Sequence, residues 1–403
     1  MTDPNTLFVF NPEHDLALAN GNAHYLPPRS ATQFADDVAA LPAWIFGFGN
    51  VRVPSTADRK SLYSLFEIFD IQSQLVVSED IPPLSVYHVL PWGWDHAIRQ
   101  KLLNEGVQES VLPDDAFLQN VRRLSHRAFA ADAGAFLKAK SEFADLFPKT
   151  AVFLSNMSDI EQFLADYQDV IFKLPWSGSG KGLKRGMGVL TDNLRGWVLN
   201  SIAKYGGVMC EPRWKVVQDF AMEFECFENV NFCGYSLFNT QNGAYQGNIL
   251  MPDENIRHSL RQWIPLKALD EVQSLLIQFL KENILPFYHG FLGIDMFVYE
   301  QNGAFFLNPV VEINLRLTMG LLANRFVKKY LLPNKIGTLR VQYSPSDGKL
   351  LAEHNEWLKR FPLVIENKRM VSGYLSLCPI NSQTHYAVQI NVQDDGLTTD
   401  SII

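Results

Sequence analysis

The sequence has little of what would mark several protein classes. Its four cysteines (Cys210, Cys226, Cys233, Cys378) have no metal-finger spacing, and three lie in apolar, strand-like stretches. That excludes a zinc-finger scaffold or a disulfide framework and points to buried, reduced thiols in a cytoplasmic protein. No run approaches the ~20 apolar residues that cross a bilayer, and the start MTDPNTLFVF lacks the basic end and apolar stretch of a secretory leader. A membrane partner is therefore not expected. Positive charge is also short, with 35 Lys and Arg against 43 Asp and Glu and a net charge of −8. This counts against nucleic acid as a partner. Repeats, low-complexity tracts and any convincing Ser/His/Asp or Cys/His nucleophilic set are missing. What is present is ordinary for a globular chain: 403 residues, 47% hydrophobic and 19% charged, enough for about two or three domains.

Residues 290–320, GFLGIDMFVYEQNGAFFLNPVVEINLRLTMG, read as two strands folded back at Asn302-Gly303, a strong hairpin signal. A two-residue turn sets Asp295 opposite Val310, one diagonal step from Glu312, and a bulge at Asn308-Pro309 would bring the two carboxylates closer. Alternation places Glu312, Asn314 and Arg316 on one side of the second strand. Two carboxylates and a carboxamide are hard oxygen donors that suit Mg²⁺ together with substrate phosphates. Arg316 beside them would meet a transferring phosphoryl group. The competing reading is a half-exposed hairpin with a polar outer face; an Asn within the strand and the scarcity of Lys–Glu pairs weaken it.

The segment VIFKLPWSGSGKGLKRGMGVL, 170–190, is an apolar strand carrying Lys173 that runs into glycines. Backbone N–H groups of Ser177, Gly178, Ser179, Gly180, Lys181 and Gly182 could close on an anion. It is neither a P-loop, because Lys181 is followed by glycine, nor a dinucleotide fingerprint, because no helix follows directly. A glycine-rich hairpin over nucleotide phosphates fits better, with a plain surface hairpin as the alternative. Upstream, Ser125 reads as the N-cap of a helix with Arg123 and Arg127 at its mouth. Downstream, Glu211-Pro212 ends a strand, Asp219 and Glu223 share a strand face, 251–263 reads as a polar covering loop with His258 and Arg261, and 266–283 as an amphipathic helix. At the N-terminus the strand LFVF opens into NPEHDLALANG. Its His14 and Asp15, with Arg29, are candidate substrate contacts at a strand's C-terminal edge, as a clamp or an acid/base pair, or else ordinary turn and cap residues. The Trp92-Gly93-Trp94 turn reads as packing.

Taken in order, these motifs resemble the ATP-grasp superfamily over roughly 120–330. The resemblance implies three lobes of mixed α/β and α+β structure. The expected division is 1–115 as an N-terminal α/β domain, 116–206 as the first nucleotide lobe, 207–330 as the second, and 331–403 as an extension on the last lobe. It implies ATP and one or two Mg²⁺ ions. Arg127, usually Lys in the family, and Lys173 resemble the nucleotide-contacting cations, and Ser177–Gly182 the mobile glycine loop. Glu211 would take the adenine amino group, and Asp219 or Glu223 the ribose hydroxyls. Asp295, Glu312 and Asn314 resemble the metal ligands, with Arg316 stabilising phosphate. The implied reaction is ligation of a small-molecule carboxylate to an amine or thiol through an acylphosphate, releasing ADP, with amino acids or peptides as candidate substrates and a homodimer as the expected state. A small-molecule kinase or a nucleotide-binding regulatory protein without turnover are the alternatives.

Overall fold

A computed structural model describes residues 4–77, 88–149, 151–178, 182–241 and 244–392. The first lobe is a parallel sheet in the order β3-β2-β1-β4, from β1 (Leu7–Val9), β2 (Asn50–Arg52), β3 (Gln74–Val76) and β4 (Val89–Pro91). Two of its strands, β1 (LFV) and β4 (VLP), are continuous apolar runs, as strands covered on both faces require, whereas β2 (NVR) and β3 (QLV) carry polar residues. Around it lie α1 (His14–Asn20), α2 (Arg29–Asp37), α3 (Leu41–Phe46), α4 (Arg59–Phe69) and α5 (His96–Asn104). Helices α6 (Asp115–Leu124) and α7 (Arg127–Lys140) lead onward. Ser125 closes α6, and it is His126 that caps α7, its Nδ1 accepting the Ala128 N–H at 3.0 Å. The expected Ser125 cap is off by one residue because α6 runs up to it.

The middle lobe is a four-stranded antiparallel sheet, order β5-β8-β6-β7, built from β5 (Val152–Leu154), β6 (Asp169–Lys173), β7 (Leu183–Met187) and β8 (Val208–Pro212). Helices α8 (Met157–Tyr167) and α9 (Asp192–Tyr205) cover it, and Ile160, Leu164, Phe172, Val198 and Cys210 form a core of its own.

The third lobe is a nine-stranded antiparallel sheet, order β13-β12-β9-β10-β11-β14-β17-β16-β15. It comprises β9 (Lys215–Cys226), β10 (Val230–Gln241), β11 (Ala244–Leu250), β12 (Gly290–Gln301), β13 (Ala304–Asn314), β14 (Gly337–Tyr343), β15 (Val364–Glu366), β16 (Arg369–Ser376) and β17 (Tyr386–Val392). One face is covered by α7, α10 (Asp253–Leu260) and α11 (Leu266–Asn283); α12 (Met319–Tyr330) and α13 (Lys349–Arg360) complete the chain. The segment after 330 joins this sheet through β14, which pairs with β11. It also meets the first lobe: the fully buried Trp44, which packs on Phe326 and Tyr330 of α12, donates from Nε1 to Leu377 O at 2.8 Å. No described helix is long and apolar enough to cross a membrane. This is the three-lobed arrangement that the resemblance implies.

Candidate active site

The hairpin of β12 and β13 turns at Asn302 and Gly303, both at positive φ. Its register runs Gln301↔Ala304 to Phe297↔Asn308, then shifts so that Asp295 lies directly opposite Glu312 and Gly293 opposite Asn314. The expected partner of Asp295, Val310, is displaced because a bulge forms beyond Asn308. Pro309 has no N–H to give a ladder, which favours a bulge there. Asn314 Nδ2 donates to Asp295 Oδ2 at 3.1 Å, and Arg316 Nη2 to Asn314 Oδ1 at 3.1 Å. The four polar residues are thus one cluster. Burial and the Glu312 charge across the ladder push the Asp295 carboxyl up to about 7. Two carboxylates facing each other across the ladder repel, and each is favoured by a cation nearby.

Lys173 and Arg127 line one cleft, Arg316 stands further along the β13 face, and each of the three is held by a carboxylate. Lys173 Nζ sits 2.5 Å from Glu211 Oε1. Arg316 makes a two-pronged pair with Asp15, 2.9 Å on each prong, from Nε to Oδ1 and Nη2 to Oδ2. Burial opposes ionisation of Asp15, but the guanidinium outweighs it and holds the carboxyl below its usual range. Arg127, the first residue of α7 and 7% exposed, is the most engaged. Its Nη1 donates to Leu174 O (2.6 Å) and Ser177 Oγ (2.8 Å), and its Nη2 to Ser177 O (2.8 Å) and both Glu312 oxygens (2.8 and 2.7 Å). Its Nε is buried with no hydrogen-bond partner among the described residues. Arg127, Gly134, Lys173, Glu211, Trp214 and Val310 line a cleft between the middle-lobe sheet and β13.

The foot of the glycine loop is part of this site. Gly182 takes φ +83, and its carbonyl accepts the Leu174 N–H at 3.0 Å. Gly178 rests on Asp15, where a Cβ would come within 2.3 Å of Oδ2. Ser179, Gly180 and Lys181 lie outside the described residues. The strand ends at Glu211-Pro212 as expected: β8 runs through Pro212, the Arg213 N–H is taken by Asp169 O at 2.9 Å, and Glu211 and Trp214 both line the cleft.

Other expectations need correction. Asp219 is half-buried, accepts Thr240 Oγ1 at 2.7 Å and senses the Lys173 charge. Glu223 is buried with both carboxyl oxygens engaged inside the third lobe, which leaves neither for a ribose. It accepts Thr318 Oγ1 (2.8 Å) and Ser236 Oγ (3.2 Å), and burial pushes its carboxyl up to about 8. The expected loop 251–263 contains α10, because Pro252, Asp253 and Glu254 start a helix whose Ile256 and Leu260 share an apolar face. Those two pack with Phe220, Met222 and Ile294, the set opposite Asp219, Glu223 and Asp295 by strand alternation. His258 and Arg261 are therefore exposed behind the sheet, away from the cleft. Arg29 is exposed at the start of α2, which packs on β17; α1 and Pro27-Pro28 have turned the chain away from the site.

His14 pairs with Asp95, not with its neighbour Asp15. Its Nδ1 lies 3.1 Å from Asp95 Oδ2, and both residues are almost wholly buried. Asn11 grips Gly93 in both directions, donating to its O (2.8 Å) and accepting from its N (3.2 Å), while Trp92 O accepts the Leu317 N–H at 2.8 Å. The N-terminal motif is thereby bolted to the strand end that carries Arg316. Asp95, Gly93 and Thr318 were missed in the sequence. The one available signal was a glycine between two tryptophans ahead of an Asp able to cap α5.

No family model and no curated protein matches the chain. Among solved structures it is similar to N5-carboxyaminoimidazole synthetase from Staphylococcus aureus complexed with ADP, with TM-score 0.48, 14% identity, and 88% of this chain and 95% of that chain covered. It is also similar to a biotin carboxylase–β,γ-ATP complex from Campylobacter jejuni (TM-score 0.48, 11%, 99% and 89%). A third likeness is to D-alanyl-alanine synthetase A from Vibrio cholerae (TM-score 0.41, 12%, 81% and 95%). At these identities the likeness is one of fold alone.

Proposed function

We propose that the protein binds Mg-ATP in the cleft between the middle and third lobes and ligates a small-molecule carboxylate to an amine through an acylphosphate, releasing ADP. The observation that carries this is the meeting of Arg127 and Arg316 with a face where Asp295, Glu312 and Asn314 stand together, with Lys173 lining the same cleft as Arg127. Two cations in one cleft, with a third further along the same face, fit a polyphosphate. The donor set fits magnesium: all hard oxygens, two of them carboxylates, with Asp295 held up to about 7 by burial and by its neighbour's charge. Among the described residues no larger His/Cys/Asp/Glu cluster offers a metal site. A metal held there supplies neutralisation of phosphate charge.

Lys173 and Arg127 border the cleft, where they would hold the phosphate chain. Arg316, further along the same face, would stabilise charge on the transferring group. The carboxylates now paired with these cations would be exchanged for phosphate oxygens. The foot of the glycine loop, seated on Asp15, would help keep water from an acylphosphate.

Calorimetry of Mg-ATP binding tests the reading. Glu312→Ala should lose the magnesium dependence, with binding weaker by roughly 1.5–3 kcal/mol, the scale of a charge-assisted contact. A wild type that binds no Mg-ATP would end the proposal. Hydroxylamine trapping separates ligase from kinase, since only an acylphosphate yields a hydroxamate.

A further inference from the structure

We propose that His14 is the general base for the second half-reaction, taking the proton from the attacking amine while Asp95 holds its ring. This rests on the ligase reading above and extends it to the N-terminal motif. Asp95 is fixed by the Ile98 N–H at 2.9 Å and lies 3.5 Å from Asn11 Nδ2. A carboxylate beside Nδ1 requires the proton on that nitrogen, so the neutral ring keeps its lone pair on Nε2. Gly93 packs against the Cβ end of the ring: a Cβ there would stand 2.5–2.7 Å from Cγ, Cδ2 and Nδ1. The edge left over is Cε1–Nε2. His14 lines a second, smaller recess together with Asp15, Ser177, Trp176, Glu312 and Asn314. That recess continues from the proposed metal face toward the first lobe, the side on which an acceptor would approach an acylphosphate formed beside Arg316.

Geometry favours a base over a mere structural bolt. The Asp95–His14 pair is built as an oriented dyad, and its next residue, Asp15, grips the very arginine assigned to the phosphoryl group. The amine arrives as an ammonium ion, and Nε2 of His14 takes the first proton, which frees the nitrogen lone pair. The nitrogen then bonds to the acyl carbon, the carbon–oxygen bond to phosphate breaks, and inorganic phosphate leaves with the electron pair and carries off the second N–H proton, while His14 later yields its own to water. No oxidant or further co-reactant is needed.

The test compares two nucleophiles on the same acylphosphate. Each common amino acid serves as carboxylate with Mg-ATP, and the acceptor is hydroxylamine, unprotonated near neutral pH, or an amine (ammonia or a second amino acid) that arrives as an ammonium ion. His14→Asn retains a donor toward Asp95 but has no base. It should keep hydroxamate formation within about threefold and lose amide formation by about 10²-fold or more, the scale of a lost general base. His14→Gln serves as a second variant should the first not fold, and Mg-ADP affinity should be unchanged in either. Equal losses of hydroxamate and amide, or no loss of amide, overturn the proposal. So does a wild type that makes hydroxamate but transfers to no amine, since no amine proton is then taken. A wild type that forms no hydroxamate at all brings down the ligase reading, and this inference with it.

Discussion

Arg127 carries more of the site than any other single residue. One guanidinium holds the foot of the glycine loop through Leu174 and Ser177 and at the same time neutralises Glu312. A lysine could not span these partners, because it lacks the planar fork that serves several acceptors at once. On the proposed function, the pairing would also withhold Glu312 from a metal until a phosphate drew Arg127 away. Arg127→Met should therefore act in opposite directions on two ligands. ATP binding weakens by about 1.5–3 kcal/mol with the lost charged contacts, while Mg²⁺ alone binds more tightly because Glu312 and Asp295 are left facing each other. Titrating each ligand separately by calorimetry checks both signs, and parallel weakening of the two would refute the coupling.

Among the elements, the start of α12 has the tightest constraint. Thr318 caps the helix by accepting the Leu321 N–H and also donates to Glu223, so one side chain fixes the helix and the buried carboxyl together. Gly320 lies where a Cβ would stand 2.1 Å from Glu223 Oε1 and 2.4 Å from Ser236 Oγ. In an open helix, Gly→Ala stabilises by about 1 kcal/mol. Here the overlap wins: Gly320→Ala should destabilise the protein by about 1–3 kcal/mol, the cost of overpacking a close-packed site. Urea denaturation against wild type gives the sign directly. The β12–β13 hairpin teaches a related lesson, since its bulge beyond Asn308 sets Asp295 against Glu312.

Across the whole molecule, the lobes differ in how they are joined. The middle lobe has its own core, whereas the first lobe shares one continuous core with α12 and with β16 and β17. A cleft between a separately cored lobe and the rest is suited to closing on a ligand. The shared core makes the last strands part of the first lobe's stability. Trp44→Ala removes a fully buried indole and its hydrogen bond to Leu377, and should destabilise by about 3–5 kcal/mol. A denaturation midpoint unchanged from wild type would show that the two regions are not coupled.

Local chemistry was legible in the chain because it is written in periodicity and turn residues. The Asn-Gly hairpin, the alternation that gathers Glu312, Asn314 and Arg316, the lysine strand running into glycines and the helix over 266–283 all follow from neighbours a few residues apart. The sequence also named His14 and Asp15, but not their partners. Those partners lie 81 and 301 residues away, and no periodicity reaches that far. Glu223 and His258 failed for the same reason. Whether a polar residue faces a cleft, a core or the back of a sheet depends on what is laid over its strand or helix, and only the tertiary structure decides that.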